Sequence, residues 1–235
     1  TTIVIFENSA HILDSVRENL SLKNIIVTGI GDMLGFPKAQ LVNFVLKYVK
    51  KMVPPYKLTG AIKFQELLIY GEKEKFKKPT MNNEDIAFLQ YTGGTTGVSK
   101  GAILTHRNII SNFQQAKVWI ENGIFEGQEI IITPLPLYHI FSLTANCMIF
   151  SALGALNVLI TNPKDIPGFV KELKKWNFSA ITGVNTLFNA LLHNKEFQSL
   201  DFSHLKVTLG GGMAVQRAVA NKWKEVTGKP LIEAY

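Results

Sequence analysis

The sequence predicts an α/β protein whose sheets are largely parallel and flanked by helices. Short apolar runs alternate with longer amphipathic ones through most of the 235 residues, a rhythm that returns the chain to one end of a sheet after each helix. Hydrophobic residues make up 46% of the chain and charged residues 18%, which supplies a sizeable core and excludes a disordered chain.

In order, Ile3–Phe6 and Asn24–Thr28 read as buried strands, with a helix around Ala10–Leu20 between them. Pro37 opens a helix in which Leu41, Phe44, Val45 and Tyr48 recur at helical spacing, and Pro54-Pro55 ends that region. Gly71–Asp85 is rich in lysine and glutamate, lacks periodicity and reads as a connection. Strands are expected at Ile86–Tyr91 and Gly101–Thr105, then a helix to about Asn122 and a strand at Glu129–Thr133. Ala145–Ile160 is the most apolar long run, but Gly154 divides it into a helix-like and a strand-like half. Asn146, Ser151 and Asn157 interrupt it, so it falls short of the roughly twenty continuous apolar residues of a membrane span. Further strands are expected at Leu156–Ile160, Ser179–Thr182, Val207–Leu209 and Pro230–Glu233. Helices at Ile166–Trp176, Asn185–His193 and Val215–Thr227 separate them. Gly123–Gly127 reads as a boundary between a lobe at 1–125 and another at 128–235.

A formal net charge of +7 favours anionic partners such as a nucleotide, the phosphates of CoA or acidic lipid head groups. No basic stripe with interleaved aromatics appears, which argues against nucleic acid, and the lysines of Lys47–Lys51 and Lys73–Lys78 read as solvated surface. Cys147 is the only cysteine, so an intrachain disulfide and a cysteine metal cluster are both excluded; a small buried hydrophobe in a reducing cytoplasm is expected there. The opening TTIVIFEN lacks the basic region and cleavage site of a signal peptide.

Chemistry concentrates in Tyr91–Ala102, YTGGTTGVSKGA. Gly93, Gly94 and Gly97 leave backbone N–H groups uncovered, Thr92, Thr95, Thr96 and Ser99 add hydroxyls, and Lys100 adds a compact cation. Val98, Gly101 and Ala102 complete a stretch whose donor density suits a polyphosphate. It is not the common P-loop, because Lys100 follows Ser99 and precedes Gly101, and no G-x-G-x-x-G opens a helix.

Three other stretches stand out. In Pro134–Leu143, PLPLYHIFSL, two prolines stiffen a strand exit and present Tyr138, His139 and Phe141. By spacing alone, a single histidine here reads as a structural hydrogen-bonder. Ile181–Phe188, ITGVNTLF, is a strand-to-helix turn at the carboxyl end of a strand, where open parallel sheets bind ligands. Gly183, Val184 and Asn185 suit a ligand wall with Phe188 one turn deeper, and ordinary core packing explains Val184 and Phe188 equally well. Gly210–Gly212 follows a strand, either as a helix-entry turn or to let a flat ring approach the backbone.

The string YTGGTTGVSKGA, continued by THRN at 105–108, resembles the phosphate loop of the adenylate-forming enzymes, which activate carboxylates with ATP. It is most similar to that of bacterial long-chain fatty-acid–CoA ligases. The resemblance implies that Tyr91–Ala102 holds the β- and γ-phosphates of ATP and that His139 shapes an acyl pocket and orients the carboxylate. It also implies that Gly183, Val184 and Phe188 line an acyl tunnel and that Gly211 and Gly212 lie against adenine. The final Glu233-Ala234-Tyr235 resembles the start of the family's Y-G-x-T-E motif, with Tyr235 stacking on adenine and Glu233 accepting from its amino group. Many members carry proline where this chain has Asn185, which leaves that side chain without an implied role.

The implied reactants are a long-chain fatty acid, ATP and CoA, with Mg²⁺ bridging phosphates and no metal ligand in this chain. The implied setting is the cytoplasm, with peripheral contact at the inner membrane; oligomeric state is left open. The resemblance further implies parts of two α/β lobes of a large N-terminal domain, with the catalytic residues and a small C-terminal catalytic domain beyond the stretch given. Two rivals stay open: a ligase for an aryl or amino acid, and a nucleotide-binding module without catalysis. The apolar ITGVNTLF, with no acidic group nearby, argues against an amino acid.

Overall fold

Parallel pairing follows the helical returns, as the alternation requires. The computed structural model describes residues 1–92, 99–120 and 122–234, so Gly93, Gly94, Thr95, Thr96, Gly97 and Val98 of the phosphate stretch and the terminal Tyr235 lie outside the described residues. The chain divides into two compact units, Thr1–Thr80 and Met81–Tyr235.

The first unit holds a three-stranded parallel sheet ordered β1 (Thr2–Phe6), β2 (Asn24–Thr28), β3 (Ile62–Lys63). Thr2 stands opposite Asn24, and Ile26 opposite Ile62. Helices α1 (Ala10–Val16), α2 (Lys38–Phe44) and α3 (Phe64–Gly71) follow these strands, α2 running on into a π-helical turn at Val45–Val49. Only the central strand matches the expectation of burial. Ile25 and Ile26 are buried, whereas Val4 and Phe6 of the edge strand are exposed. The pair β3 and α3 was not expected, because a two-residue strand has no period and α3 carries Leu67, Leu68 and Ile69 in a row.

The second unit begins with an antiparallel pair, β4 (Ile86–Thr92) and β5 (Lys100–Thr105), in which Thr92 stands opposite Lys100 and Gln90 opposite Ala102. The THRN string has a local structural use. Asn108 Oδ1 accepts both the Thr105 N–H and the Thr105 hydroxyl, each at 2.9 Å, which starts helix α4 (His106–Ile120).

The remainder is a five-stranded parallel sheet built from β6 (Ile130–Thr133), β7 (Leu156–Leu159), β8 (Ala180–Gly183), β9 (Val207–Gly211) and β10 (Ile232–Ala234). Its order is β10-β9-β8-β6-β7. Between the strands run the short helix α5 (Ile140–Ser142), which continues as a π-helical segment Leu143–Phe150, and helices α6 (Ile166–Leu173), α7 (Asn185–Leu192), α8 (Lys195–Gln198) and α9 (Arg217–Thr227). Cys147, in the π-helical segment, is half-buried rather than fully buried.

Strand alternation sends Ile132 and Ile181 to one face and Ile131 and Ala180 to the other. On the first face Phe169, Leu173, Phe188, Leu191, Phe197, Leu205 and Trp223 form the main core, with the rings of Phe188 and Trp223 edge-on at 4.8 Å. On the second face Phe150 lies fully buried against the sheet, while α4 presents Phe113, Ala116 and Ile120 to Ile149 and Leu153. That packing explains why the compact units divide at Thr80 and not at the Gly123–Gly127 turn. The apolar side of α4 is partly buried against the second unit's own apolar cluster, so the β4–β5 pair belongs with it.

Candidate functional site

The strand order brings the singled-out segments to one edge. In a parallel sheet all carboxyl ends face the same way, and β10, β9, β8 and β6 are consecutive neighbours. The loop bearing His139 leaves β6, Gly183-Val184 leaves β8, Gly211-Gly212 leaves β9, and Glu233 lies in β10. The antiparallel pair is tied to the same edge, since Gln90 Nε2 in β4 donates to the Tyr138 carbonyl at 3.4 Å.

His139 takes the N-cap position of α5, its Nδ1 accepting the Phe141 N–H at 3.3 Å. The ring is exposed and is held through Nδ1. The expectation of a structural hydrogen bond is thus met by Nδ1.

Gly211 explains itself by its neighbours. A Cβ there would stand 2.9 Å from the Phe141 ring and 3.0 Å from the Ala234 carbonyl oxygen, so only glycine fits between the β6 loop and β10. Phe141, on the loop already singled out, is thus the side chain that requires glycine at 211. Gly212 has φ +78°, in the left-handed region, and a Cβ placed there would stand 3.6 Å from a Val184 methyl.

The loop that follows is laced from both sides. Asn185 Oδ1 accepts the Gln216 N–H at 2.9 Å, and Glu233 Oε1 accepts the Val215 N–H at 3.1 Å. Asn185 is buried, and a proline in its place would offer no side chain to accept such a bond. The Glu233 carboxylate, expected to face a ligand, makes a structural bond.

Phe188 requires a correction. It has zero exposure, its ring stacks edge-on against Trp223, and a Cβ on Gly183 would stand 2.9 Å from its Cζ. It is a core side chain under the turn, not a wall of a ligand tunnel. Val184, half-buried beside Gly212, keeps its place at the edge.

In the phosphate stretch, Tyr91, Ser99, Lys100, Gly101 and Ala102 are exposed. Tyr91 lies across its partner strand, where a Cβ on Gly101 would meet its ring at 3.2 Å. Lys100, opposite Thr92, brings a cation to the end of the pair.

The family model described as AMP-binding enzyme matches residues 2–235. A long-chain-fatty-acid–CoA ligase of Salmonella typhimurium strain LT2 is 54% identical over 233 residues, 99% of this chain and 42% of that protein. The ligase of the same description from Haemophilus influenzae is 56% identical over 236 residues, again 99% of this chain and 42% of that protein. The chain thus spans about two fifths of these relatives' length. Among solved structures, the N-terminal domain of FACL13 from Mycobacterium tuberculosis superposes with TM-score 0.66 at 19% identity, covering 100% of this chain and 56% of that one. The anthranilate CoA ligase AuaEII, in complex with anthranoyl-AMP, gives 0.67 at 20% identity, covering 98% and 39%. At such identities the likeness is one of fold.

Proposed function

The chain belongs to the AMP-binding enzyme family, and from that premise we propose that it is the nucleotide- and acid-reading part of a long-chain fatty-acid–CoA ligase. In the proposed reaction a fatty acid carboxylate attacks the α-phosphorus of ATP and expels pyrophosphate, forming an acyl-adenylate. The CoA thiol then attacks the acyl carbon and AMP leaves. The single observation that carries the reading is the identity of 54–56% to ligases of that description over 99% of the chain. That extent takes in every loop at the carboxyl edge.

The following roles are compatible with it. Carboxyl groups titrate near pH 4, so a fatty acid arrives ionised and needs no general base. His139 Nε2 faces the carboxylate while Nδ1 stays fixed by the Phe141 N–H. Gly211 and Gly212 offer bare backbone to the flat purine, and Glu233 stands beside it. Lys100 and the stretch Gly93–Ser99 supply donors to the departing pyrophosphate, where fixed dipoles act most strongly on developing charge. Val184 forms the start of the acyl wall. In this reading Mg²⁺ enters together with the substrate ATP. The same reading places the protein in the cytoplasm with peripheral contact at the inner membrane; among the described residues no helix is long and apolar enough to cross it.

Mass spectrometry of the full-length protein with ATP, CoA and a panel of carboxylic acids tests the reading. Acyl-CoA and AMP from long-chain acids, with little or none from aryl or amino acids, is expected. Product from an aryl or amino acid alone would replace the fatty-acid reading.

A further inference from the structure

Four polar side chains are sealed beneath the carboxyl edge: Thr133 at 2% exposure, Ser142 and Asn146 at 0%, and Thr182 at 1%. Buried polar groups are tolerated when each finds a partner. Asn146 Nδ2 donates to Thr133 Oγ1 at 2.9 Å, and Thr182 Oγ1 donates to Asn146 Oδ1 at 3.0 Å. Thr133 Oγ1 donates onward to Asn157 Oδ1 at 2.9 Å, and Ser142 Oγ donates to the Leu135 carbonyl at 3.0 Å.

The places these residues occupy give the network its meaning. Thr133 ends β6 and leads into the His139 loop, while Thr182 immediately precedes Gly183 and Val184. Asn146 sits in the π-helical segment that continues from α5 behind His139, a helix type that recurs at functional sites. One amide therefore bonds to two neighbouring strand exits from the helix that carries the loop between them. An apolar side chain of similar size would fill the same space without needing partners. What the amide adds is a fixed spacing between His139 and the Gly183-Val184 turn.

We propose that Asn146 is a positioning residue for the acid substrate. It touches no reactant; through Thr133 and Thr182 it sets the distance between the group that meets the carboxylate and the wall that meets the alkyl chain. ATP recognition draws on β4–β5, Gly211-Gly212 and Glu233, none of which bonds to Asn146. This inference rests on the proposed ligase activity.

The test is fatty-acid-dependent exchange between pyrophosphate and ATP in the full-length protein, with acid and ATP varied separately. Thr182→Val is nearly isosteric and removes only the hydroxyl. It should lower kcat/KM for the acid on the order of tenfold, because small misplacements at a reacting centre are costly. Its KM for ATP should stay within about twofold, since the two substrates are read by separate groups. Thr182→Ser restores the hydroxyl and should recover most of the loss. Asn146→Leu, which removes the bond to Thr133 as well, should lose at least as much as Thr182→Val, and the double variant should be no worse than Asn146→Leu, because the Thr182 bond is already gone. Should Asn146→Leu fail to fold, the Thr182 pair carries the test by itself. Equal losses for ATP and acid, no loss, or a Thr182→Ser as poor as Thr182→Val would overturn the proposal and leave the ligase reading standing. A wild-type protein with no acid-dependent exchange would remove the ligase reading, and this inference with it.

Discussion

The two ends of the five-stranded sheet are built from different chemistry. At the carboxyl end, glycines, neutral amides and hydroxyls hold loops at set distances, and Glu233, in β10, is exposed. At the amino end, a buried carboxylate does the fastening. Glu129 Oε1, just before β6, accepts from Lys206 Nζ and from the Phe125 N–H, each at 2.7 Å. Lys206 precedes β9 and also lies 4.7 Å from the centre of the Phe125 ring. Burial pushes the Glu129 carboxyl up, but Lys206, the Phe125 N–H and Ser179 outweigh it and hold the group below its ordinary value. An ion pair locks two segments tightly and depends on both partners. Neutral hydrogen bonds fix a spacing without burying a charge. The amino end is arranged for stability and the carboxyl end for geometry.

The comparison breaks most visibly at Gly211. Gly211→Val puts carbon into space already held by Phe141 and the Ala234 carbonyl. We expect about 2 kcal/mol of overpacking, read as a shift in denaturant midpoint. Adenylation should fall on the order of a hundredfold, because the β6 loop and β10 must separate.

At the opposite end, Lys206→Met leaves a buried carboxylate without its cation. Removing one partner of a fully buried pair costs about 3–5 kcal/mol; Lys206 is about a third exposed, and roughly 2 kcal/mol is the discounted expectation. KM values for acid and ATP should not move. The pH dependence follows from the lowered carboxyl. Its contribution is fully present above the unfolded value of 4.5 and is lost as pH falls through the lower folded value. Denaturant midpoints at pH 7 and in acid should therefore converge between wild type and Lys206→Met as pH drops, and a constant gap would remove Glu129 from the explanation.

Val184→Trp sharpens the carboxyl-end reading. Each buried methylene contributes about 0.8 kcal/mol, so a blocked wall penalises long acids far more than short ones. The ratio of kcat/KM for a long and a short acid should fall about tenfold. An unchanged ratio in a folded variant would return Val184 to the core beside Phe188.

The smallest effect is expected at Asn185. Asn185→Ala removes the bond to the Gln216 N–H, for about 1 kcal/mol of stability and a modest weakening of ATP use.

Local patterns made the strands and helices of the second unit readable. Ile130–Thr133 and Ala180–Gly183 are short apolar runs, Gly183 and Gly210–Gly212 mark where they stop, and α7 and α9 carry clear apolar faces. Helical spacing told which side of α7 Phe188 occupies but not whether a ligand or Trp223 lies there, and it is Trp223. The turn at Gly123–Gly127 is real as punctuation, and Gly123 and Gly127 both have positive φ. It does not divide the units, because what α4 packs against is a long-range fact. Asn146 and Thr182 are thirty-six residues apart and meet only after the sheet has formed, so no local motif announces them. The same holds for Phe141 against Gly211: the glycine was visible, its neighbour was not.

The most direct test of the division between the two ends is a paired measurement on the full-length protein, recording pyrophosphate exchange and denaturant midpoint for Thr182→Val and Lys206→Met. Thr182→Val should lose acid-dependent exchange by about tenfold with a midpoint shift worth about 1 kcal/mol or less. Lys206→Met should keep wild-type kinetics at a temperature where it is folded, and lose roughly 2 kcal/mol of stability. Kinetics impaired equally in both variants, or a Thr182→Val that loses stability and keeps its acid kinetics, would contradict the account.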